Sequence, residues 1–245
     1  MKKETTLNES YEKYLPFLLE FRRRLFFVVA FFIVSAGVGF WKYETILHLI
    51  LSLFQLEGVN IVFTSPFQFM ELSVSCAFTV GIIGVFPLII FQLLSFIRPA
   101  LKKNEFNTVL FVIPLSIVLF IFGFGVGALM MRYVVQIFFE KSQSLDIGNF
   151  LDVSHLLSQV IVTSALMGLA FEFPIVLTLL VKLNILKLKV IEKQRLVAYG
   201  AAILFAALLP PTDIFSLVML TLPLIVLFEL TLILNKFVFK SKKGR

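Results

Sequence analysis

Cysteine, histidine and charged residues are scarce in this chain of 245 residues. The single cysteine, Cys76, cannot form an internal disulfide, and with His48 and His155 it makes no metal-binding spacing. No Gly-rich loop ends in Gly-Lys-Ser or Gly-Lys-Thr, so the sequence gives no sign of a nucleotide site. We therefore expect neither a metal nor a cofactor, and no sequence signature indicates an enzyme.

Apolar residues, by contrast, are abundant. They make up 59% of the chain, while charged residues make up only 15%. A soluble domain of this length could not bury that much apolar surface, so we expect most of the chain to lie in lipid. The net charge of +7 is compatible with a membrane protein whose basic residues gather in cytoplasmic loops, and we do not expect nucleic-acid binding. Since no long polar stretch is present, we interpret residues 1–245 as a single membrane domain.

The apolar runs predict an all-α integral membrane protein with six transmembrane helices. The runs cover approximately residues 25–41, 71–97, 107–131, 156–181, 196–209 and 214–234, with a polar loop over 132–154. The fifth run spans roughly 21 Å at 1.5 Å per residue, whereas the hydrocarbon core is about 30 Å thick. Either the bilayer thins locally or this helix begins earlier, from Val190 onward. In the third run, Gly123 and Gly127 have a spacing that allows close helix contact, although glycine is common in membrane helices anyway.

The distribution of basic residues predicts how the chain is oriented. Only three of the 22 Lys and Arg residues, namely Lys42, Arg132 and Lys141, fall in loops on one side of the six runs. The others lie at the two termini and in two connectors on the opposite side. Because Lys and Arg concentrate in cytoplasmic loops, we expect both termini to be cytoplasmic. The predicted location is the bacterial inner membrane, with an organelle membrane as the alternative.

Glu172 is a carboxylate inside the fourth predicted span. It lies about ten residues before Lys182, so roughly 15 Å from the cytoplasmic end of its helix. A carboxylate at that depth costs several kcal/mol unless it is protonated, hydrated or paired, and such groups often mark functional sites. The alternative is a structural hydrogen bond to a neighbouring helix. Glu229, nearer the cytoplasmic end of the sixth span, allows either interpretation because its side chain can reach water.

Two further acids lie among basic residues on the predicted cytoplasmic side. Glu20 precedes Arg22, Arg23 and Arg24, and Glu105 closes the loop after the second span. A wholly basic surface would repel a cation, whereas each of these carboxylates could accept two hydrogen bonds from a guanidinium group. One of the three arginines could orient the acids. The alternative is a solvated face, or one that contacts anionic lipid.

Five stretches, in order along nearly the whole chain, resemble the TatC family, the multi-spanning subunit of the twin-arginine protein translocase. They are Leu18-Leu19-Glu20-Phe21-Arg22-Arg23-Arg24-Leu25, the loop from Phe91-Gln92 through Phe96-Ile97-x-Pro99-Ala100-Leu101 to Glu105, Gly168-Leu169-Ala170-Phe171-Glu172-Phe173-Pro174, Pro211-Thr212-Asp213, and Pro223 to Leu227-Phe228-Glu229. Three positions depart from the family pattern. Phe17 replaces a histidine, Gln68 replaces an outer-loop glutamate, and Leu217 replaces a residue that is often polar.

The resemblance implies six helices in a concave, glove-like bundle that serves as a signal-peptide receptor. It implies that Glu20 and Glu105 bind the arginine pair of the signal peptide, with Arg22 shaping the site. The other implied functional positions are Phe96 and Pro99 in the peptide-binding loop, Glu172, Pro174 and Glu229 in the membrane, and Asp213 at the outer turn. Implied partners are single-span subunits of the TatA and TatB type, further copies of the chain, membrane lipids, and folded cargo that crosses at the expense of the protonmotive force.

Two other functions remain open on the residues alone. A proton-coupled transporter of a small solute could use Glu172 and Glu229 as a proton relay. Such transporters commonly contain two related halves, and Glu172-x-Pro174 has no counterpart in the first three spans. A purely structural scaffold would give the cytoplasmic acids no role.

Overall fold

The computed structural model describes residues 2–54, 60–62, 67–97, 106–144, 150–182 and 186–241. The helices are α1 (Lys2–Trp41), α2 (Tyr43–Phe54), α3 (Gln68–Ile97), α4 (Phe106–Ser144), α5 (Val153–Ala170), α6 (Phe173–Lys182), α7 (Leu188–Lys193), α8 (Arg195–Ala207) and α9 (Ile214–Ser241). Two three-residue strands, β1 (Asn60–Val62) and β2 (Phe150–Asp152), form a parallel pair. The predicted helical fold is confirmed apart from this ribbon, whose strands are too short to show a period in the sequence.

Within the described residues, five helical stretches are long and apolar enough to cross a membrane. They are Arg22–Trp41, Gln68–Gln92, Pro114–Phe138, His155–Lys182 and Ile214–Lys236. The predicted fifth span corresponds to α8, which has only 13 residues. A turn at Gln194, with φ −101° and ψ 28°, separates α8 from α7, so the helix does not continue back to Val190.

α3 is the central helix, and it packs against both α1 and α5. Its buried side chains Ile82, Phe86 and Ile90 form one core cluster with residues of α4, α5 and α6. The rings of Phe86 and Phe120 stack with their centroids 4.3 Å apart. These contacts fix the positions of the helices that carry the predicted site residues.

The α8–α9 hairpin joins a short helix, α8 with 13 residues, to a long one, α9 with 28. Thr163, in the middle of α5, donates a hydrogen bond from its hydroxyl to the carbonyl of Pro210, at the turn of the hairpin. Thr163 lies ten residues into α5, which is roughly 15 Å along the helix axis. The turn of the hairpin therefore lies about half-way along α5, away from the end of α5 that follows β2. This position agrees with the short length of α8.

The fourth predicted span consists of two helices rather than one. α5 ends at Ala170 and α6 begins at Phe173. Pro174 has no N–H, so the carbonyl of Ala170 loses the donor that would continue the helix. The N–H of Glu172 instead donates to the carbonyl of Leu169 at 3.1 Å. The break places Glu172 at the junction of the two helices.

α4 extends well beyond residue 131, where the sequence predicted the start of a polar loop. The helix continues to Ser144. Met131, Val134 and Val135 are buried, so this part of α4 still packs on the protein although Arg132 interrupts the apolar run. The prediction of a loop from residue 132 was wrong, because it followed polarity rather than the helical period.

α4 and α5 approach each other closely at two glycines of α4. A Cβ atom at Gly127 would lie 2.8 Å from Cα of Ser164, and one at Gly123 would lie 2.5 Å from Cβ of Phe171. Neither separation leaves room for a side chain. The predicted role of Gly123 and Gly127 in close helix contact is confirmed.

We predict that Gly127→Leu destabilises the bundle, because the new side chain would meet the α5 backbone. Overpacking of this kind costs about 1–3 kcal/mol. The measurement is the thermal unfolding midpoint of the purified protein in detergent. Gly125→Leu is the matched control, since no described atom lies within 4 Å of a Cβ at that position. Equal midpoints for the two variants would contradict the close contact.

Candidate functional site

A cleft lies between α1 and α3 where the first membrane helix begins, and we call it the basic-end cleft. It encloses about 550 Å³ and is lined by Glu20, Arg23, Arg24, Phe26, Phe27, Phe91, Gln92 and Ser95. Three aromatic rings and one carboxylate thus share a space with two guanidinium groups. Among cations, one with a flat, weakly hydrated face fits such a lining better than a compact, strongly hydrated one does.

Arg24 connects the two walls of the basic-end cleft. Its Nε and Nη2 donate to Oε1 of Glu20 at 3.1 and 2.5 Å. Its Nη1 donates to the backbone oxygen and to Oε1 of Gln92, both at 3.0 Å. The four-residue spacing places Glu20 and Arg24 on the same face of α1. Arg24 therefore holds Glu20 in place and ties α1 to α3.

Glu20 uses only one of its carboxylate oxygens in this network. Oε1 accepts both hydrogen bonds from Arg24, while Oε2 accepts none from any residue that the structure describes. The side chain of Glu20 is 50% exposed. Oε2 is therefore open to a ligand that enters the cleft.

The structure gives less information about the other residues predicted for this site. Arg22 is exposed on α1, and it is Arg24 among the three arginines that bonds to Glu20. Phe96 belongs to α3. Pro99 and Glu105 lie outside the described residues. The roles of Arg22, Phe96, Pro99 and Glu105 in binding a peptide remain predictions.

The sequence analysis did not distinguish Arg24 from its neighbours, and it did not assign Gln92 a role. The spacing between Glu20 and Arg24 was visible in the sequence and could have selected Arg24, because residues four apart meet on a helix. The contact between Arg24 and Gln92 joins positions 68 residues apart. No local pattern could have revealed it.

Glu172 forms part of a second cavity, which we call the intramembrane cavity. Glu172 is only 6% exposed. The Oγ of Ser116, on α4, donates to its Oε2 at 2.6 Å, and its Oε1 is buried without a hydrogen-bond partner in the described part of the chain. The cavity encloses about 450 Å³. Its other lining residues come from α5, α6, α8 and α9, and they are Leu169, Ala170, Phe173, Val176, Ala198, Ala201, Ala202, Phe205, Leu224, Leu227 and Phe228.

The structural interpretation of Glu172 accounts for one of its two oxygens, and the functional interpretation remains a prediction. The bond to Ser116 is the structural hydrogen bond between helices that the sequence allowed. The other oxygen has no described partner beside an otherwise apolar cavity. A buried acceptor in that state favours a ligand or a partner that carries a hydrogen-bond donor.

The chain is similar to known proteins over most of its length. Residues 16–223 match the protein family described as TatC, Sec-independent protein translocase protein. The chain belongs to the TatC family. Its relatives are components of a protein translocase, so the five apolar helices belong to a membrane protein of a protein transport system.

Several TatC proteins and two solved structures are similar over almost the full length. TatCy of Bacillus subtilis (strain 168) is 28% identical over 93% of this chain and 90% of its own. TatC of Carboxydothermus hydrogenoformans is 30% identical over 90% and 91%. A crystal structure of the twin arginine translocase receptor TatC covers 90% of this chain and 98% of its own, at 26% identity and a TM-score of 0.73. A second one, in DDM, covers 89% and 99%, at 25% identity and a TM-score of 0.78.

Glu229 connects α8 to α9 in this member of the TatC family. The hydroxyl of Tyr199 donates to its Oε1 at 2.6 Å, and Nη2 of Arg195 lies 3.3 Å from its Oε2. Its neighbours Leu227 and Phe228 line the intramembrane cavity, whereas Glu229 itself does not. The contacts favour a structural role in which Glu229 holds the short helix α8 in place.

The two histidines give no indication of a metal centre. Nδ1 of His155 lies 3.4 Å from Oε1 of Glu71, and its Nε2 lies 2.9 Å from Nε2 of Gln159. Within the described ranges, no group of three His, Cys, Asp or Glu side chains could hold a metal ion. The contact between His155 and Glu71 joins α5 to α3 near the β1–β2 ribbon.

Asp213, at the turn before α9, caps that helix. Its Oδ1 accepts a hydrogen bond from the backbone N–H of Ser216 at 2.8 Å, and its Oδ2 accepts one from Oγ of Ser216 at 2.5 Å. An acid at the N-cap satisfies a backbone donor that the helix leaves free and interacts favourably with the helix dipole. The two contacts explain why an aspartate is suited to this turn.

We predict that Asp213→Ala lowers the free energy of unfolding by about 1 kcal/mol, because the cap of α9 is lost. Asp213→Ser should retain most of the stability, since serine is also a good N-cap. Thermal unfolding in detergent checks both values. Thr212→Ala, at the exposed neighbouring position, is the control. A loss for Thr212→Ala as large as for Asp213→Ala would show that the turn, rather than the cap, determines the stability.

Proposed function

We propose that this protein binds twin-arginine signal peptides in the basic-end cleft and forms the receptor core of a translocase for folded proteins. The observation that carries the proposal is Oε2 of Glu20, which has no partner among the described residues and belongs to a half-exposed side chain in a cleft that three phenylalanines also line. Membership of the TatC family supports it, as does the crystal structure of a similar chain described as a receptor. We assign the protein no enzymatic activity.

The chemistry of the cleft suits a guanidinium group. One N–H of an incoming arginine would donate to Oε2 of Glu20, and the flat face of the group would stack on a phenylalanine ring. The sequence analysis expected Glu20 to accept two hydrogen bonds through both oxygens, but Oε1 is already occupied by Arg24. The second arginine is assigned to Glu105, with Arg22, Phe96 and Pro99 shaping the loop, as the family resemblance implies.

The proposed orientation places the basic-end cleft on the cytoplasmic side of the bacterial inner membrane. The excess of Lys and Arg on that side supports it. α8 then serves as a sixth, short span, and both termini are cytoplasmic. A span of 13 residues would require local thinning of the bilayer, since α8 does not continue into α7.

The intramembrane cavity is the proposed contact site for further components. We assign it to single-span subunits of the TatA and TatB type, or to lipids, within a homo-oligomeric assembly driven by the protonmotive force. Its apolar walls, together with Glu172 and the helix break at Pro174, support the assignment. A partner helix would bury apolar surface there and bring a donor to Glu172.

We predict that Glu20→Gln weakens binding of a twin-arginine peptide to the purified protein in nanodiscs by about threefold to tenfold. The loss corresponds to one hydrogen bond to a charged group that water partly screens, because the side chain of Glu20 is half exposed. Glu105→Gln should have a similar effect. Glu192→Gln is the matched control, because Glu192 pairs with Lys236 and does not line the cleft.

The comparison peptide has both arginines replaced by lysine and should bind weakly to the unmodified protein. Binding that is indifferent to Glu20→Gln and to the peptide sequence would overturn the proposed receptor site. If only Glu105→Gln weakened binding, the loop rather than the basic-end cleft would be the recognition site.

Glu172→Gln separates recognition from transport. We predict that this variant binds the peptide normally and exports a folded reporter several-fold more slowly, because only the intramembrane contact is changed. Export by membrane vesicles is the measurement. Glu44→Gln, an exposed carboxylate outside the apolar spans, is the control. An equal loss of peptide binding in Glu172→Gln would mean that the two sites are not independent.

A further inference from the structure

We propose that Ser116 is a positioning residue for Glu172. By donating its hydroxyl proton to Oε2, it holds the carboxylate so that Oε1 is the oxygen left for a molecule in the intramembrane cavity. This inference rests on the proposed function, because it concerns how the same contact site presents its acid to a partner. Neither the apolar runs nor the family resemblance singled out Ser116.

The first step is how α4 presents Ser116. Ser116, Phe120 and Gly123 are separated by four and three residues, so they share one face of α4. A Cβ atom at Gly123 would lie 2.5 Å from Cβ of Phe171, and one at Gly168 would lie 3.0 Å from the ring of Phe120. The face of α4 that carries Ser116 therefore packs against the end of α5. The same packing brings the Ser116 hydroxyl to the break between α5 and α6.

The second step is the acceptor that this hydroxyl uses. A serine or threonine inside a helix often donates to the carbonyl four residues earlier, as Ser164 does to Val160 at 2.6 Å. Ser116 is fully buried, yet it donates to a carboxylate outside its own helix. Since a hydroxyl has only one proton to donate, this bond commits Ser116 to Glu172.

The third step is the limited freedom of Glu172. Its N–H donates to the carbonyl of Leu169 at 3.1 Å, and its carbonyl accepts from the N–H groups of Ile175 and Val176 at 3.0 and 3.1 Å. The backbone at the break is thus held from both sides, and only side-chain torsions remain to place the carboxylate. The bond from Ser116 restricts those torsions. A molecule in the cavity would therefore meet an acid that is already oriented.

The absence of this hydroxyl would affect the cavity rather than the basic-end cleft. Both oxygens of Glu172 would then be buried without a donor among the described residues, and the side chain could turn away from the cavity. A partner would have to order the carboxylate as it binds, at a free-energy cost that a preorganised site avoids. We therefore expect Ser116 to act on the intramembrane step of transport and not on peptide recognition.

The experiment measures export of a folded reporter by membrane vesicles that contain the complete translocase with a variant of this chain. Ser116→Ala should slow export about threefold to tenfold, the effect of losing one hydrogen bond. Binding of a twin-arginine peptide in nanodiscs should stay within about twofold of the original. Ser164→Ala is the matched control, because it removes a buried hydroxyl that bonds to a carbonyl of its own helix. An equal loss of export in the two variants, or no loss in Ser116→Ala, would overturn the proposal.

Ser116→Thr and Ser116→Val separate the hydrogen bond from packing. The two side chains add similar bulk at a fully buried position, and only threonine keeps the hydroxyl. We expect the threonine variant to export at least about threefold faster than the valine variant, even if their size slows both. Equal rates would show that packing, rather than the hydrogen bond, explains the loss in Ser116→Ala.

A double-mutant cycle with Glu172→Met tests whether Ser116 acts through Glu172. Methionine has no carboxylate to orient, so adding Ser116→Ala to Glu172→Met should change export by no more than about twofold. A further loss as large as that of Ser116→Ala alone would overturn the proposal. If Glu172→Met exports at the unmodified rate, the proposed contact site itself fails. That result differs from slow export in Glu172→Met with normal export in Ser116→Ala, which overturns only the role of Ser116.

Discussion

Buried polar groups in a lipid environment must find their partners within the protein, and several polar contacts between the described residues meet that requirement. The hydroxyls of Ser164, Thr221 and Thr231 each donate to the carbonyl four residues earlier, at 2.6, 2.7 and 2.6 Å. Between helices, the amide of Asn235 donates to the hydroxyl of Thr178 at 3.0 Å. These bonds allow apolar helices to carry polar side chains without exposing them to hydrocarbon.

Four described side chains depart from this rule, because each has a buried oxygen without a partner, and among Thr79, Ser158, Glu172 and Asn235 only Glu172 carries a carboxylate. A buried hydroxyl or amide without a partner costs about 1–3 kcal/mol, and a carboxylate costs more. The protein reduces this cost at Oε2 through Ser116, but Oε1 has no partner among the described side chains. Since that carboxylate also lines a cavity between α6, α8 and α9, the arrangement favours a second molecule that supplies the missing donor.

The sequence was most informative where hydrophobic length and charge determine the structure. It placed the five long apolar helices of the described residues, the glycine contact at Gly127, and Glu172 inside one of the apolar stretches. It was wrong about the loop after residue 131, because it took Arg132 as the end of the apolar run, whereas the buried Val134 and Val135 continue the helix. It missed the β1–β2 ribbon and the bond between Arg24 and Gln92, since both join distant segments. Local patterns carry no information about such pairs.

The two carboxylates at the centre of the proposed function lie in very different surroundings, and this difference suits two successive tasks. Glu20 is half exposed, and ion pairs at exposed sites contribute little because water screens them. Binding there has to draw on several modest contacts, which keeps it reversible and makes it sensitive to the shape of the ligand. Glu172 is buried, so a donor that reaches it meets a stronger interaction. On the proposed function, the first carboxylate is therefore suited to sampling many peptides, and the second to holding the few partners that enter the membrane.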